Sequence, residues 1–492
     1  MRRRLHRLQQ LVCSRFSGGF LRQSGIYGLG QVVEGLSAVL LLPVFVVYLT
    51  PDDFALVSLS EMVGSIVASC WGIRLGSAVT RFYYEYKHDQ QQKFVASVWW
   101  AFVMNACVGL VVLLFVGPLV LPHIVRQVPY SPYLELIMWT VFARMFAEVP
   151  LALMRIREEA HLVVAAALGS LLLFVTAKLY FVVVAGEGGL GVLKAGLWGA
   201  GCSAVGYCVY MISRYPRFIH WPYVKEAAQY SWPMTPEAML SGVTTVMDRF
   251  FLDKWVPLTT IGYYSVASQF GAIAYQSVVT LKMAFVPAVL RIWVQEQSER
   301  WKISDMALLM VATTTGVALT VSLFAQDLLT IVGRERFLAA INFVPFLTVN
   351  AILVAVVTIA SMSFLLSKRT IWITPVSFLH AAIAGVVNLL ATPAYGVWGA
   401  IAATLSGWAS RALFFCFLGN AICPLPVAWW RIAAAIIPAL PLGLLGLTMY
   451  DFQWSTRILC KMAIIGVYGG YLLTLLWWNR LTEVPTRQNS GK

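Results

Sequence analysis

Residues 341–366 read INFVPFLTVNAILVAVVTIASMSFLL, a run without a single charged side chain. About 20 apolar residues in a helix are enough to cross the hydrocarbon core of a bilayer. Lipid offers no hydrogen bonds, so a spanning segment must satisfy its own backbone groups, and a helix does this within one segment. The run therefore predicts a transmembrane helix.

Runs of this kind recur along the chain of 492 residues, of which 59% are hydrophobic and 12% charged. Soluble domains carry roughly a quarter charged residues. About fourteen windows of spanning length alternate with short stretches that hold Pro, Gly and charged residues. They predict helices at 24–49, 54–77, 94–117, 134–153, 162–185, 192–212, 230–252, 261–286, 306–325, 341–366, 371–393, 397–418, 428–447 and 459–478. The predicted fold class is all-α, a polytopic membrane protein of about fourteen transmembrane helices.

The basic residues are distributed unevenly between the predicted connections. The net charge is +14, and arginines are concentrated before the first helix and in alternate connections. With the amino terminus in the cytoplasm, the cytoplasmic side holds about 22 Lys and Arg and the other side about six, as the positive-inside rule requires. This predicts two cytoplasmic termini, with a basic arm at 1–23 and a tail at 479–492. A cleaved signal peptide is the alternative for the start, but no small-residue cleavage site follows a short apolar core.

The chain also repeats itself weakly. Residues 196–200, GLWGA, return as GVWGA at 396–400, each time opening an apolar helix. Further matched pairs are Tyr27 with Tyr230, Glu34 with Glu237, Ser58 with Ser265, and Gly64 with Gly271. Because the period spans six helices, the two halves share one orientation, as in transporters with parallel repeats. Chance matches of common membrane residues are the alternative.

A true duplication predicts two six-helix lobes that face each other across a central cavity. The N-lobe would comprise 24–212 and the C-lobe 230–418, joined by a cytoplasmic linker at 213–229. Residues 419–478 would add the thirteenth and fourteenth helices. No Gly-rich loop ends in Gly-Lys-Ser/Thr, and the six histidines and eight cysteines show no metal-ligand spacing. We therefore expect no cofactor, no metal and no nucleic-acid partner.

Charged side chains inside the predicted helices are the candidate functional residues. Each costs about 2.5–3.5 kcal/mol at the bilayer centre unless it pairs or faces water, so they should point into the bundle. The cations, which would bind an anionic substrate, are Arg74, Arg144, Lys178, Arg249, Lys282 and Arg411. The carboxylates, which would serve in coupling or gating, are Glu34, Glu61, Glu148, Glu237 and Asp248.

Spacing suggests how some of these residues act. Arg144 and Glu148 are four apart, so they share a helix face and either pair structurally or bind substrate. Asp248 and Arg249 are adjacent and diverge by about 100°, which predicts that they do not face one another.

Two further pairs occupy matched positions of the repeat. Arg74 and Lys282 lie near cytoplasmic helix ends, where they either snorkel to the headgroups or receive a phosphate. Glu34 and Glu237 either hold a proton in a low-dielectric site or pair with an arginine.

Several short motifs follow one another along the chain. They are YGLG at 27–30, LLP at 41–43, YLTPDDF at 48–54, RFYYE at 81–85, DRFFL at 248–252, IGYYS at 261–265 and, after Asn388, GVWGAIA at 396–402. Together they resemble polysaccharide biosynthesis proteins, the Wzx-type O-antigen and exopolysaccharide flippases. That family is related to multidrug and toxin extrusion transporters and to lipid II flippases, which share two six-helix lobes.

The resemblance implies a flippase of the bacterial inner membrane rather than an enzyme. Its substrate would be a polyprenyl-diphosphate-linked sugar or oligosaccharide, moved to the outer leaflet for O-antigen, capsule or exopolysaccharide assembly. Alternating access of the two lobes would move it, driven by the membrane potential or by proton or sodium exchange. The partners implied are the lipid-linked glycan, the bilayer, a polysaccharide polymerase and a chain-length regulator.

Two other functions stay open at this point. A cation-coupled antiporter of drugs or metabolites would favour acidic cavity residues, and the near balance of charges leaves room for it. A polysaccharide polymerase or ligase would be expected to carry a large outer loop, but no predicted outer connection exceeds about 15 residues.

Overall fold

A computed structural model describes residues 41–71, 75–295, 297–331, 335–449 and 453–482. These ranges are helical, without a strand, and residues 41–48 precede the first helix that is described in full. The helices are α1 (Pro51–Trp71), α2 (Leu75–Phe82), α3 (His88–Ile124), α4 (Glu135–Met145), α5 (Glu148–Ile156), α6 (Ala160–Lys178), α7 (Gly188–Arg214), α8 (Trp221–Ser231), α9 (Thr235–Trp255), α10 (Leu258–Gln295), α11 (Lys302–Ile331), α12 (Leu338–Ile341), α13 (Val344–Leu366), α14 (Ile373–Tyr395), α15 (Val397–Ile422), α16 (Trp429–Ile436), α17 (Ala439–Thr448) and α18 (Trp454–Thr482).

Twelve helical stretches in the described part of the chain are long and apolar enough to span a membrane. They are Pro51–Trp71, Asp89–Ile124, Tyr130–Ile156, His161–Val184, Gly188–Arg214, Leu258–Val294, Lys302–Ile331, Leu338–Leu366, Ile373–Tyr395, Val397–Ile422, Trp429–Gly446 and Trp454–Leu475. Each matches one predicted window. The chain is a multi-pass membrane protein, and the predicted all-α class is confirmed.

Two of the fourteen predicted helices are not among these twelve. Most of the first, at 24–49, lies outside the described residues. The seventh, at 230–252, falls on α9, which is helical but carries five charged side chains. A helix with so many charges is expected where protein or water, rather than lipid, surrounds it.

The start of α1 shows how the sequence sets a helix boundary. Thr50 precedes the helix, and its backbone N–H and its hydroxyl both donate to Asp53 Oδ2, at 2.9 and 2.7 Å. In return the Asp53 N–H donates to the Thr50 hydroxyl at 3.2 Å. This is a capping box, and Pro51 occupies the first helical position, where no N–H is needed. The TPDD part of the YLTPDDF motif is thus a helix-start signal.

The described residues form two compact units. The first comprises 60–124 and 128–242, and the second comprises 41–59, 125–127 and the residues from 243 onward. The boundaries fall inside α1 and α9. The predicted boundaries of the N-lobe, linker and C-lobe stay predictions.

The core of the first unit is built from α2, α3, α5, α7 and α8. Phe94, Trp99, Leu153 and Met211 are buried together in it. Helix α8 lies in the stretch predicted as a linker and packs on α2 and α3. The second unit has its main core between α10, α11 and α13.

Glycines that match in the sequence repeat allow equivalent close approaches in the two units. In the first unit, a Cβ on Gly64 of α1 would lie 2.7 Å from Ile137 of α4. In the second unit, a Cβ on Gly271 of α10 would lie 3.1 Å from the Leu347 carbonyl of α13. Gly199 of α7 and Gly399 of α15 form a second matched pair. Each lies in close contact with the preceding helix, which is α6 for Gly199 and α14 for Gly399. Glycine thus permits a close helix approach at each of these matched positions.

Candidate functional site

A cavity of about 860 Å³ lies within the first unit. Its walls come from α1, α2, α5 and α9. They comprise Ser65, Ala68, Ser69, Gly76, Ser77, Thr80, Glu148, Ala152, Arg155, Ile156 and Ala238. The volume lies in the range of about 300–1,000 Å³ that is typical of small-molecule sites. Four hydroxyls and two opposite charges make this lining polar in a chain whose helices are otherwise strongly apolar.

Glu148 is held at the first turn of α2. The Gly76 N–H donates to Glu148 Oε1 at 3.2 Å, which satisfies one of the free amides at the start of the helix. The positive end of the helix dipole also favours a carboxylate there. A Cβ on Gly76 would lie 3.1 Å from Glu148 Cγ, so glycine lets the two helices approach.

Glu148 and Arg155 are seven residues apart on α5, which is two turns and about 10 Å along the axis. Both therefore face the cavity from the same side of the helix, one at each end. The hydroxyls of Ser65, Ser77 and Thr80 come from the facing helices α1 and α2. A ligand in this cavity meets a carboxylate acceptor, a guanidinium donor and hydroxyls between them.

A charged cluster lies near this cavity and unites three predicted site residues. Glu61 of α1 and Arg144 of α4 lie close enough to Lys178 of α6 for their charges to act on it. The Arg144 guanidinium also lies 5.9 Å from the centre of the Phe174 ring. Glu61 precedes the cavity residue Ser65 by one turn on α1, about 6 Å. The cluster thus brings two basic side chains and one carboxylate together.

Arg144 and Glu148 were predicted to share a helix face, as an ion pair or as substrate ligands. The structure ends α4 at Met145 and begins α5 at Glu148, and the two residues between them, Phe146 and Ala147, keep right-handed helical backbone angles. The pairing stays a prediction. Arg144 lies against Phe174, whereas Glu148 accepts the Gly76 amide.

The second unit holds another charged pair, Asp248 and Arg249 of α9. Arg249 donates from Nε to the Ser58 hydroxyl at 2.8 Å and from Nη2 to the Ser268 hydroxyl at 3.3 Å. The Tyr264 hydroxyl donates to the buried Asp248 carboxylate. Three helices, α1, α9 and α10, thus converge on this pair.

The prediction that Asp248 and Arg249 do not face one another was wrong. Arg249 Nη1 lies 3.8 Å from Asp248 Oδ1. The angle of about 100° describes where adjacent side chains leave a helix. The long stem of arginine lets the guanidinium turn back toward its neighbour, although at this distance the pair is a weak one.

The remaining predicted residues are dispersed. Arg74 and Glu34 lie outside the described residues. Lys282 of α10 is exposed and Glu237 of α9 is half-buried. The Arg411 guanidinium lies 5.4 Å from the Trp408 ring and 5.5 Å from the Phe415 ring in the second unit.

Three buried charges in the second unit were missed by the sequence reasoning. Asp327 of α11 binds Lys461 Nζ at 2.6 Å and Arg457 Nε at 2.8 Å, both from α18. Lys461 is 0% exposed. The predicted helices ended at 325 and began at 459, so Asp327 and Arg457 counted as loop residues. Extending each window by one turn would have found these two. Lys461 lies inside the predicted helix at 459–478 and was missing from the candidate cations.

The family described as Polysaccharide biosynthesis protein matches residues 46–342. Among solved structures, Lipid II flippase MurJ in an inward closed conformation aligns with a TM-score of 0.73 and 12% identity, over 94% of this chain and 100% of that chain. An inward-facing multidrug resistance MATE family transporter of the MOP superfamily aligns with a TM-score of 0.61 and 14% identity, over 82% and 95%. An outward-facing conformation of a MATE family transporter aligns with a TM-score of 0.54 and 16% identity, over 87% and 98%. No curated protein matches the chain in sequence.

At these identities the structural likeness concerns the fold, which is that of MurJ and the MATE transporters. The chain is thus a multi-pass membrane protein with this fold and a polar cavity in its first unit. The family match extends over more than half of the sequence. The chain belongs to the polysaccharide biosynthesis protein family.

Proposed function

We propose that this protein is a flippase for a polyprenyl-diphosphate-linked sugar or oligosaccharide. It would move this lipid from the cytoplasmic to the outer leaflet of the bacterial inner membrane by alternating access, for assembly of O-antigen, capsule or exopolysaccharide. Membership of the polysaccharide biosynthesis family supports the pathway. The observation that carries the proposal is the cavity of about 860 Å³, lined by hydroxyls, Glu148 and Arg155.

The chemistry of the cavity suits a carbohydrate. Each sugar hydroxyl both donates and accepts hydrogen bonds, as the side chains of Ser65 and Ser77 can. The Ser69 and Thr80 hydroxyls donate to the Ser65 and Gly76 carbonyls, at 2.7 and 2.9 Å, and offer acceptors to a ligand. Glu148 adds a strong acceptor. A lining of this kind gives many moderate contacts, which lets a glycan enter and leave.

The diphosphate requires cations. Arg155 lines the cavity, and Arg144 and Lys178 lie in the cluster near it. Arginine contacts phosphate oxygens in a bidentate manner, whereas lysine acts as a point charge. The polyprenyl tail would stay in lipid or lie beside the helices of 428–478. The roles predicted for Arg74, Lys282 and Arg411 as cations, and for Glu34 and Glu237 as coupling carboxylates, remain part of this proposal.

The membrane potential favours this direction of transport. In a cell whose interior is negative by about 100 mV, each negative charge carried outward gains roughly 2.3 kcal/mol. A site that loads a diphosphate on the cytoplasmic side could use this energy directly.

Replacing Arg144 or the cavity residue Arg155 with Ala tests the proposal. Each loses a charge-assisted contact of about 1.5–3 kcal/mol, so we expect outward translocation to fall about 10- to 100-fold. The measurement is surface polysaccharide in cells with matched levels of membrane-inserted protein. Arg217→Ala is the control, because Arg217 is exposed and lies outside the spanning helices. Normal polymer in both variants would refute the cationic mechanism.

A second candidate is a cation-coupled antiporter of drugs or metabolites. It is favoured by Glu148 in the cavity and Glu61 one turn away from it, because carboxylates bind organic cations and exchange protons. A deletion strain would then become drug-sensitive while its surface polysaccharide stays normal. The flippase proposal expects the reverse.

A further inference from the structure

A second cavity in the first unit, of about 200 Å³, has a different lining. Its walls comprise Tyr83, Gln91, Gln92, Arg157, Arg214 and Tyr215. None of these six lines the larger cavity or belongs to the predicted site. At about 30 Å³ per water, the space equals about seven waters, which is enough for a phosphate with a small substituent but not for a glycan.

This small cavity lies at the level where spanning segments end. Arg214 is the last residue of one span, and Arg157 directly follows another. Gln91 and Gln92 lie in the first turn of a third span, two residues or so before its apolar part begins at Phe94. Tyrosine is enriched at this depth, where hydrocarbon gives way to headgroups. The cavity therefore faces lipid phosphates rather than acyl chains.

Glu159 holds the two arginines of the cavity in place. Its Oε1 lies 3.0 Å from Arg214 Nη1 and 3.4 Å from Arg157 Nε. Its Oε2 accepts the Tyr210 hydroxyl at 2.9 Å, and the Arg214 guanidinium lies 4.6 Å from the centre of the Tyr210 ring. Two cations against one carboxylate leave this group with a net charge of +1, which complements a monoanionic phosphodiester.

Hydrogen-bond donors remain for such a ligand. The contacts given above for the two guanidiniums involve Nε and Nη1, and Arg157 Nη1 also donates to the Tyr215 oxygen at 3.0 Å. The Nη2 groups of both arginines thus remain as donors within the described structure. Burial raises the pKa of Tyr215, so its hydroxyl keeps a proton to donate. The two glutamine amides add further donors.

We propose that this cavity binds the headgroup of an anionic phospholipid from the surrounding leaflet through its phosphodiester. Arg157 and Arg214 contact the phosphate oxygens, and Tyr83, Tyr215 and the glutamines contact the remaining oxygens. The lipid then bridges the ends of α5 and α7 and the start of α3. The site is separate from the larger cavity, so it can fail without the flippase proposal failing.

Native mass spectrometry of the full-length protein in detergent tests this site. The protein is mixed with phosphatidylglycerol and phosphatidylcholine of identical acyl chains. We expect the protein to retain about five times as much phosphatidylglycerol as phosphatidylcholine. One basic residue near an anionic lipid surface contributes about 1 kcal/mol, which corresponds to a ratio of about five. The R157Q/R214Q variant should lose this preference. The R81Q variant should keep it, because Arg81 is an exposed arginine of the same unit that pairs with Glu85.

Several results would overturn the proposal. Equal retention of the two lipids by the native protein would do so, as would an unchanged preference in R157Q/R214Q. If an excess of inorganic phosphate removes the preference for phosphatidylglycerol, the cavity is a free-phosphate site instead. A stronger preference for a polyprenyl phosphate, lost in the same variant, would identify a substrate site. If the double variant does not yield folded protein by thermal unfolding, R214Q alone decides the matter.

Discussion

At the scale of single residues, close backbone approaches depend on particular glycines. A Cβ on Gly262, at the start of α10, would lie 1.9 Å from the carbonyl oxygen of Pro51, the first residue of α1. Backbone atoms cannot swing aside as a side chain can, so a methyl group here must push the two helices apart. Gly316 in α11 has nothing within 4 Å of the same position. These two glycines therefore play different roles although both lie in the second unit.

Gly262→Ala is expected to destabilise the protein by about 1–3 kcal/mol, the usual cost of overpacking. Gly316→Ala is the matched control. It should be neutral or stabilising by up to about 1 kcal/mol, because alanine is the better helix former. Thermal unfolding of both variants in one detergent gives the comparison. Equal midpoints for the two variants would show that α1 and α10 do not meet at Gly262.

At the scale of helices, the buried triad of Asp327, Arg457 and Lys461 joins α18 to α11. The two distances to the carboxylate are 2.8 and 2.6 Å. A buried ion pair offers little net stability compared with apolar side chains, but removing one partner leaves an unpaired buried charge. The triad thus specifies where the last described helix attaches.

Asp327→Ala should destabilise the attachment of α18 by about 3–5 kcal/mol, because two cations lose their shared partner. Hydrogen exchange of the α18 backbone would report this as a loss of protection. Lys302→Ala is the control. It breaks the ion pair with Glu299. The side chains of Lys302 and Glu299 are 41% and 39% exposed, and exposed ion pairs contribute about 0–1 kcal/mol to stability.

A second variant separates charge from packing. Replacing all three residues of the triad with Leu or Met removes the three buried charges between α11 and α18, so hydrogen-exchange protection of α18 should return. If hydrogen-exchange protection of α18 stays low in this variant, the ion pairs themselves, and not only the neutralisation of buried charge, are needed to attach α18.

At the scale of the whole molecule, the uneven distribution of Lys and Arg predicts the orientation in the membrane. Lys368 lies between α13 and α14, and Tyr395 lies at the opposite end of α14. The helix between them is one of the spanning stretches. The two residues are therefore expected on opposite sides of the membrane, with Lys368 in the cytoplasm.

Single cysteines at these two positions test the orientation. In a background without native cysteines, Tyr395→Cys should react with a membrane-impermeant thiol reagent in intact spheroplasts. Lys368→Cys should react only after the membrane is permeabilised. Both side chains are exposed, so access through protein does not limit labelling. The opposite labelling pattern would reverse the predicted topology.

The spans were predictable because a membrane helix is a local property of about 20 residues. The ends of the helices were harder to predict, and they decide which charged residues are considered as functional candidates. The extra turn of α11 brings Asp327 inside a helix, where it is buried. The difference between a helix end at 325 and one beyond 327 decides whether this charge counts as buried.

The sequence by itself determined the all-α class and twelve spanning helices, since an apolar run acts within a short stretch of chain. Only the tertiary structure decided which charges meet. Asp327 and Lys461 are 134 residues apart, and four helices from different parts of the chain build the polar cavity. Periodicity indicates which face of a helix is apolar, but the partner of a buried charge depends on how distant helices pack.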